Sequence, residues 1–378
     1  MAQNPPRYLG GYESRRNFKT RSKTRRKARK RENGESPAQD SLLICGRPES
    51  AGDSQGSAGA SPHQLTTAVL DAGLEFCFNA FMPAPLGTPA AEFLIDEALV
   101  HRLIAEQHAD LAHLPLRAVG EGWDNAMFRL GEHLAVRLPR RAAGATLIGH
   151  EQRWLPVLSK QVSLPVPTPY RVGKPSQGYP WGWSVVPWLK GLTADQSEPS
   201  ATQAAVFGGF LRSLHIHAPL DAPLNAVRGG PLQQRAASVQ ARMDRLGLQT
   251  DLITSQLRQV WDFALRAPLD GTPTWLHGDL HPRNVLVEDG VITGVIDWGD
   301  MCSGDSATDL ASSWTLFGDT RSRQELWRAY GEISEPTLQR ATGWALLFGL
   351  ALLETGLNDN PRNAAIGEKI LKRLADVG

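Results

Sequence analysis

Long apolar runs and cysteines are both scarce in this sequence of 378 residues. No apolar run approaches the roughly 20 residues that a membrane-spanning helix requires, so we expect no membrane partner. The three cysteines, Cys45, Cys77 and Cys302, are odd in number and far apart, which excludes a disulfide framework and favours a reducing, cytoplasmic setting. A Gly-x4-Gly-Lys-Ser/Thr phosphate loop is absent as well, which argues against the P-loop nucleotide-binding fold.

An excess of basic charge is confined to one end of the chain. Residues 1–81 contain 13 Lys+Arg and 8 Asp+Glu, whereas residues 82–378 contain 27 and 31, so a mildly acidic body follows a basic tail. The stretch SRRNFKTRSKTRRKARKRENG, residues 14–34, lacks the apolar periodicity of a folded element, and residues 48–62 have the composition of a linker.

We therefore predict that residues 1–81 form a disordered, basic, low-complexity extension. Nucleic-acid binding or targeting is the alternative, and it concerns this tail alone. The sequence leaves open whether the tail is a dispensable extension or an upstream misreading of the start codon.

The periodicity of the body changes from strand-like to helical along the chain. A helical pattern from Phe93 is followed by short β-rich runs, and beyond Leu192 the pattern is mostly helical. The elements predicted before Leu192 are strands over 115–120, 125–130 and 133–139, a helix over 143–159 and a buried strand within 180–191. We predict an α+β protein with a small β-rich lobe over 82–189 and a larger helical lobe over 190–378.

One segment of the helical half concentrates polar side chains. It is HGDLHPRNVLVEDGVITGVIDWGD, residues 277–300. Within it, Asp289-Gly290 separates two β-branched runs, and Asp-Gly favours the positive φ angles of a two-residue hairpin turn. We predict a hairpin with strands over 285–288 and 291–296.

This hairpin would place three oxygen-bearing side chains close together. Asn284 precedes one strand, Asp297 follows the other, and Asp279 lies in the loop just before them. Two oxygen ligands beside an open cleft suit Mg²⁺, which keeps several waters and binds substrate phosphates. A further carboxylate can hold and deprotonate an attacking hydroxyl, which is the division of labour in phosphoryl transfer. The alternative, three polar residues that merely cap the ends of the hairpin, does not explain their joint spacing.

The motif HGDLHPRNVLV…VIDWGD resembles the aminoglycoside phosphotransferase family, which has a protein-kinase-like fold, and the similarity extends over about 94–375. An Asp followed five residues later by Asn matches the kinase catalytic loop, and Asp-Trp-Gly stands where kinases have Asp-Phe-Gly. The resemblance implies that Asp279 is the catalytic base, that Asn284 and Asp297 bind Mg²⁺, and that ATP is the phosphoryl donor.

The β-rich lobe carries a second part of the resemblance. LAVR, residues 134–137, matches the kinase pattern Val-Ala-Ile-Lys. The resemblance implies that Ala135 leaves room for adenine, that Arg137 reaches the α- and β-phosphates, and that Glu151 on the next helix holds Arg137. Arg in place of Lys is not a conservative change, because a planar, permanently charged guanidinium replaces a compact ammonium.

The remaining ATP contacts are predicted in a loop and a hinge. VGEGWDNAMF, residues 119–128, stands where kinases have their glycine-rich loop but lacks the third glycine. The resemblance assigns phosphate contacts to Gly120, Gly122 and Asn125. It assigns adenine contacts to the interlobe backbone around Pro187 and Leu189.

The acceptor is predicted to be a small molecule with a hydroxyl group. The family includes enzymes that act on aminoglycosides, macrolides and metabolites, and an acidic helical lobe favours a polycationic aminoglycoside. The candidate acceptor contacts are Asp300, Asp305, Glu354 and Asp359. Asp305 is equally suited to cap the following helix. The preference for ATP over GTP, the acceptor's identity and the oligomeric state stay open.

Two other functions compete with phosphoryl transfer. A metallohydrolase would use His277, Asp279 and His281 as ligands, but it explains neither Asn284 nor LAVR. We expect His277 instead to hydrogen-bond the backbone and shape its loop. A nucleotide-binding regulator without activity would not need the complete Asp/Asn/Asp set.

Overall fold

A computed structural model describes residues 89–176 and 178–376. The predicted extension over 1–81 lies outside these ranges, together with Cys45 and Cys77. The described chain has a β-rich N-terminal lobe and a larger helical C-terminal lobe, as predicted.

The N-terminal lobe is built on a five-stranded antiparallel sheet in the order β1-β2-β3-β5-β4. In β2, Ala126, Phe128 and Leu130 are buried while their neighbours are half-buried, which is the period-2 alternation of a sheet with one face on the core. The strands are β1 (Leu116–Glu121), β2 (Asn125–Leu130), β3 (Leu134–Pro139), β4 (Arg171–Gly173) and β5 (Trp183–Pro187).

Two helices pack beside this sheet. The helix α1 (Glu97–Gln107) begins later than the Phe93 start that the periodicity predicted, because the Asp96 carboxylate accepts the backbone N–H of Leu99 at 2.7 Å and caps the helix. Phe93 packs instead against the Tyr179 ring in a T-shaped arrangement. The helix α2 (Ala142–Leu158) is fastened to β5, where Gln152 Nε2 donates to the carbonyl of Trp183 at 2.9 Å.

The predicted hairpin supplies the last two strands of a three-stranded sheet in the order β6-β8-β9. Its turn residues Asp289 and Gly290 have φ values of 51° and 77°, the positive values that the Asp-Gly dipeptide predicted. The strands of the C-terminal lobe are β6 (Leu192–Thr193), β7 (Thr274–Leu276), β8 (Val285–Glu288), β9 (Val291–Val295) and β10 (Cys302–Gly304), with β7 and β10 paired antiparallel.

Helices make up most of the rest of the C-terminal lobe. They are α3 (Gln203–Leu214), α4 (Ala236–Gly247), α5 (Ser255–Arg266), α6 (Ala307–Leu310), α7 (Ser312–Leu316), α8 (Thr320–Tyr330), α9 (Glu335–Asp359) and α10 (Pro361–Ala375). The segment from Ala307 to Leu316 is divided into two short helices, α6 and α7. The hydroxyls of Ser312 and Ser313 donate to the carbonyls of Asp309 and Leu310 at 2.5 and 2.7 Å, and such local bonds compete with the helical backbone ladder.

The two lobes share α2 and a short link. Leu155 and Leu158, at the end of α2, are buried in the hydrophobic core of the C-terminal lobe. The link runs from β5 to β6, and Trp188 N–H within it donates to the carbonyl of His133 at 2.8 Å. The predicted lobe boundary between 189 and 190 falls in this link.

Candidate active site

The Asp309 side chain supports the backbone of the loop between β7 and β8. This carboxylate is fully buried and accepts the backbone N–H groups of His277 at 2.6 Å and Gly278 at 2.9 Å. His277 is also buried, and its Nε2 donates to the carbonyl of Ile296 at 3.0 Å while its Nδ1 accepts the N–H of Asp279 at 3.2 Å. As predicted, His277 bonds the backbone, and it thereby ties the loop to the end of β9.

The close approach of the loop to the chain after β9 requires Gly278. Its φ is +85°, a conformation that side chains disfavour. A Cβ at this position would lie 2.5 Å from the carbonyl oxygen of Asp300. Any larger residue would therefore push the loop and the segment of Asp300 apart.

Asp279 points into a cluster of donors. Its Oδ1 accepts Nη2 of Arg228 at 3.0 Å, and its Oδ2 accepts Nδ2 of Asn284 at 3.2 Å and lies 3.3 Å from Nε2 of His281. Burial alone would raise the pKa of the Asp279 carboxyl, but His281 and Arg228 together outweigh it, so the pKa lies well below its usual range. Asp279 is therefore ionised at neutral pH and able to accept a proton.

Asn284 and Asp297 flank the open end of the hairpin. The carbonyl of Asn284 accepts the N–H of Ile296 at 2.9 Å, next to Asp297. Asp297 has a φ of 62°, an uncommon value for a residue with a side chain, and such residues concentrate at functional sites. Its carboxylate is 58% exposed, whereas Asn284 is buried. One exposed carboxylate and one amide are the oxygen donors that an incompletely dehydrated Mg²⁺ accepts.

Arg137 connects the N-terminal lobe to this site. From β3, its Nη1 bonds Oε2 of Glu151 at 2.5 Å, and its Nη2 bonds Oδ1 of Asp297 at 3.2 Å. The Arg137 and Glu151 side chains are only 6% and 1% exposed. Burial raises the pKa of the Glu151 carboxyl, and Arg137 opposes that rise. The predicted cation and its helical partner therefore meet Asp297, the exposed member of the predicted metal site.

The family model named Phosphotransferase enzyme family (APH) matches residues 115–344, more than half of the chain. This chain belongs to that family. Its two-lobed structure is similar to a GDP complex of aminoglycoside 2'-phosphotransferase-IIIa, at 18% identity and a TM-score of 0.56 over 75% of this chain and 99% of that one. The GDP and kanamycin complex of APH(2")-IIia gives 18% identity and a TM-score of 0.55 over 75% and 100%. These likenesses show the protein-kinase-like fold.

A curated relative also aligns with part of the chain. It is the uncharacterized protein YcbJ of Bacillus subtilis, 28% identical over 130 residues, or 33% of this chain. The alignment spans about two-fifths of that protein's length, 42%. None of the helices in the described ranges combines the length and apolar character that crossing a bilayer requires.

The predicted phosphate contacts lie on two adjacent strands and in the turn between them. Gly120 pairs with Met127 beyond a bulge in β1, and Gly122 N–H donates to the carbonyl of Asn125 at 2.8 Å. The carbonyl of Gly122 accepts Nη1 of Arg140 at 2.9 Å, so an arginine braces this turn.

The predicted adenine contacts lie farther along the sheet. Ala135 is buried and pairs with Val186, and Pro187 pairs with Leu134 at the start of the interlobe link. Leu189 lies close to Gly294 on the hairpin. The assignment of these residues, and of the glycine loop, to ATP stays a prediction.

The four predicted acceptor carboxylates do not form one cluster. Asp300 lies at the site: its Oδ1 accepts Nδ2 of Asn225 at 2.8 Å. Burial raises its pKa, and Arg228 opposes the rise. Asp305 forms an ion pair with Arg340 at 2.7 Å and accepts the N–H of Ala307 at 3.2 Å. Glu354 forms ion pairs with Arg242 at 2.6 Å and Arg245 at 2.8 Å. Asp359 is exposed at the end of α9. Asp305 thus bonds the helix that it was alternatively predicted to cap, and Glu354 is held by two arginines.

The metallohydrolase alternative finds no support in this arrangement. Both ring nitrogens of His277 bond the backbone, as described above, so neither faces a ligand. In the described ranges no group of three His, Cys, Asp or Glu side chains is placed to hold a metal ion.

Three residues of this site were missed by sequence reasoning. Asn225 and Arg228 come from an irregular segment with no recognisable motif, and only the folded chain brings them to Asp300 and Asp279. Asp309 lies about 30 positions beyond the catalytic loop, and its partners there, His277 and Gly278, could not be read from its position. An Asp among the small and apolar residues of GDSATDLA, residues 304–311, was the available signal.

Proposed function

We propose that this protein is an ATP- and Mg²⁺-dependent phosphotransferase that moves the γ-phosphoryl group to a hydroxyl of a small molecule. One observation carries the proposal. Asp279, Asn284 and Asp297 converge at the end of the hairpin, and Asp297 lies 3.2 Å from an arginine of the other lobe. Such a constellation joins a base, oxygen ligands and a phosphate-binding cation across one cleft.

Each residue has a role that follows from its surroundings. Asp279, held ionised by His281 and Arg228, accepts the proton of the acceptor hydroxyl. Arg137, steadied by Glu151, contacts the α- and β-phosphates. Asn284 and Asp297 would hold Mg²⁺, which when bound neutralises charge on the phosphates.

The lobes would divide the work between them. We assign residues 82–189 to nucleotide binding and residues 190–378 to catalysis and acceptor binding. The acceptor is either an aminoglycoside-like antibiotic or a hydroxylated metabolite, with Asp300 the predicted carboxylate nearest to the base. Any nucleic-acid contact would belong to the tail over 1–81.

Transfer of labelled phosphate from ATP to a library of hydroxyl compounds tests the function. We expect Mg²⁺-dependent transfer to at least one compound, with GTP compared in parallel because the solved relatives include GDP complexes. The matched variants are Asp279→Asn and Asp262→Asn, the latter a surface position on α5. Near-normal transfer by Asp279→Asn would remove the assigned base. Transfer without any divalent cation would contradict the metal site.

A further inference from the structure

The segment over 223–229 is fastened along β10, beside the catalytic loop. The N–H of Ser303 donates to the carbonyl of Pro223 at 2.8 Å, and the N–H of Asp305 donates to the carbonyl of Gly229 at 2.8 Å. Gly229 has a φ of +70°, and a Cβ there would lie 2.8 Å from Cδ1 of Leu276. The backbone that carries Arg228 is therefore held against a strand and cannot drift away from the site.

The Arg228 guanidinium lies between two carboxylates of the site. Its Nη2 is 3.0 Å from Oδ1 of Asp279 and 3.9 Å from Oδ2 of Asp300. It also lies 5.2 Å from the centre of the Phe348 ring, and its side chain is 20% exposed. A permanent cation from the C-terminal lobe therefore lies beside the base, in addition to the cation that Arg137 supplies from the N-terminal lobe.

A cation that only oriented Asp279 would be redundant, because Asn284 and His281 already bond the other oxygen of the carboxylate. The position of Arg228 therefore calls for a further role in the reaction.

The N–H groups of the Arg228 guanidinium are only partly paired with hydrogen-bond acceptors. Its Nε is buried without an acceptor, and Nη1 makes only a 3.4 Å bond to the carbonyl of Val227. A buried donor without an acceptor is unfavourable, and phosphoryl oxygens are strong acceptors for the planar guanidinium. A hydroxyl bound to Oδ1 of Asp279 would be phosphorylated beside this guanidinium.

We propose that Arg228 is a catalytic residue that contacts the transferred phosphoryl group. In the step, the acceptor oxygen forms a bond to the γ-phosphorus and the bond from that phosphorus to the β,γ-bridging oxygen breaks. The bridging oxygen leaves with the electron pair as part of ADP, and the hydroxyl proton passes to Asp279. Arg228 donates hydrogen bonds to the phosphoryl oxygens during this transfer, where charge stabilisation is most effective. This inference rests on the proposed function.

The test compares Arg228→Met with Arg228→Lys and a matched surface change. Arg258→Met is the control, because Arg258 on α5 forms an exposed ion pair with Asp244 on α4 at 3.2 Å. We expect kcat to fall by about 100-fold or more in Arg228→Met, with the KM for ATP within about threefold, and Lys to restore part of kcat. Thermal melting and ATP binding report whether each variant is folded.

The pH profile separates contact with phosphoryl from an effect through Asp279. If Arg228 only lowered the proton affinity of Asp279, Arg228→Met would shift the acid limb of kcat to higher pH and reach the wild-type plateau. If Arg228 contacts the phosphoryl group directly, kcat of Arg228→Met stays below the wild-type plateau at every pH. A plateau within about threefold of the wild type in folded Arg228→Met overturns the inference while leaving the proposed function intact. Absence of any ATP-dependent transfer by the wild type overturns both.

Discussion

The candidate active site contains two arginine–carboxylate clusters, Arg137 with Glu151 and Arg228 with Asp279, which differ in solvent exposure. The side chains of Arg137 and Glu151, in the N-terminal lobe, are 6% and 1% exposed. The side chains of Arg228 and Asp279, in the C-terminal lobe, are each 20% exposed. The first cluster is almost fully buried and joins a strand to a helix, whereas the second is partly exposed and joins an irregular segment to a loop.

This difference indicates what each cluster is for. A buried ion pair gains little net stability but is costly to break, so Arg137–Glu151 keeps one arrangement of β3 and α2. A partly exposed cluster can accept substrate atoms without a large rearrangement. We therefore expect the Arg137–Glu151 cluster to serve as a fixed support and the Arg228–Asp279 cluster to take part in the chemistry.

The largest expected effect comes from removing the base. Asp279→Asn keeps the shape of the side chain but cannot accept the hydroxyl proton, and we expect kcat to fall by about 10³-fold or more with a small change in the KM for ATP. Single-turnover transfer of labelled phosphate measures it. A variant that retains a tenth of the wild-type kcat would place the base elsewhere and remove the functional contrast between the clusters.

The next largest effect separates the clusters by stability. Arg137→Met leaves Glu151 buried without its cation, and we expect about 3–5 kcal/mol of lost stability. Arg228→Met should cost about 1–2 kcal/mol, because water partly solvates its carboxylates. Urea unfolding compares the two, and the double variant Arg137→Met/Glu151→Leu should be more stable than Arg137→Met alone. Equal losses of stability for the two single variants would contradict the distinction between a buried and a partly exposed cluster.

A smaller effect is expected at the support of the catalytic loop. Asp309→Asn replaces one acceptor oxygen by a donor, so the N–H of His277 or Gly278 loses its bond. We expect a loss of about 1–3 kcal/mol in stability and a lower kcat with the KM for ATP little changed. Urea unfolding and steady-state kinetics on the same preparation measure both. An unchanged kcat would show that the loop keeps its shape without this carboxylate.

The smallest effect is a pH dependence of opposite sign in the two clusters. The pKa of Asp279 is lowered from 3.8, so its contribution to stability is present above pH 3.8 and lost as the pH falls through the lower, folded-state pKa. The pKa of Glu151 is raised from 4.5, so its contribution is present below pH 4.5 and lost as the pH rises through the higher, folded-state pKa. A tenfold change in proton affinity corresponds to about 1.4 kcal/mol.

Unfolding of the wild type, Asp279→Asn and Glu151→Gln between about pH 3 and pH 7 measures this dependence. The advantage of the wild type over Asp279→Asn should shrink towards low pH. Its advantage over Glu151→Gln should shrink towards neutral pH. The same trend for both variants would show that burial does not raise the pKa of Glu151.

Much of the structure around the hairpin and around Arg137 and Glu151 could be predicted from the sequence because its signals are local. The Asp-Gly turn fixed the hairpin, and the LAVR strand with a following helix located Arg137 and Glu151. The start of α1 was misplaced because apolar periodicity continued past a capping Asp at position 96. The surroundings of the predicted acceptor carboxylates could not be predicted in the same way, since Asp305 and Glu354 form ion pairs with arginines from distant parts of the chain.

The sequence by itself determined the family, the two-lobed fold and the order of base, amide and carboxylate around the hairpin, because those depend on short-range spacing and turn chemistry. Only the tertiary structure decided that Arg228 meets Asp279 across 51 positions and that Asp309 supports the loop from 32 positions away. Such pairings depend on how an irregular segment packs against β10, and packing of that kind leaves no periodic trace in the chain.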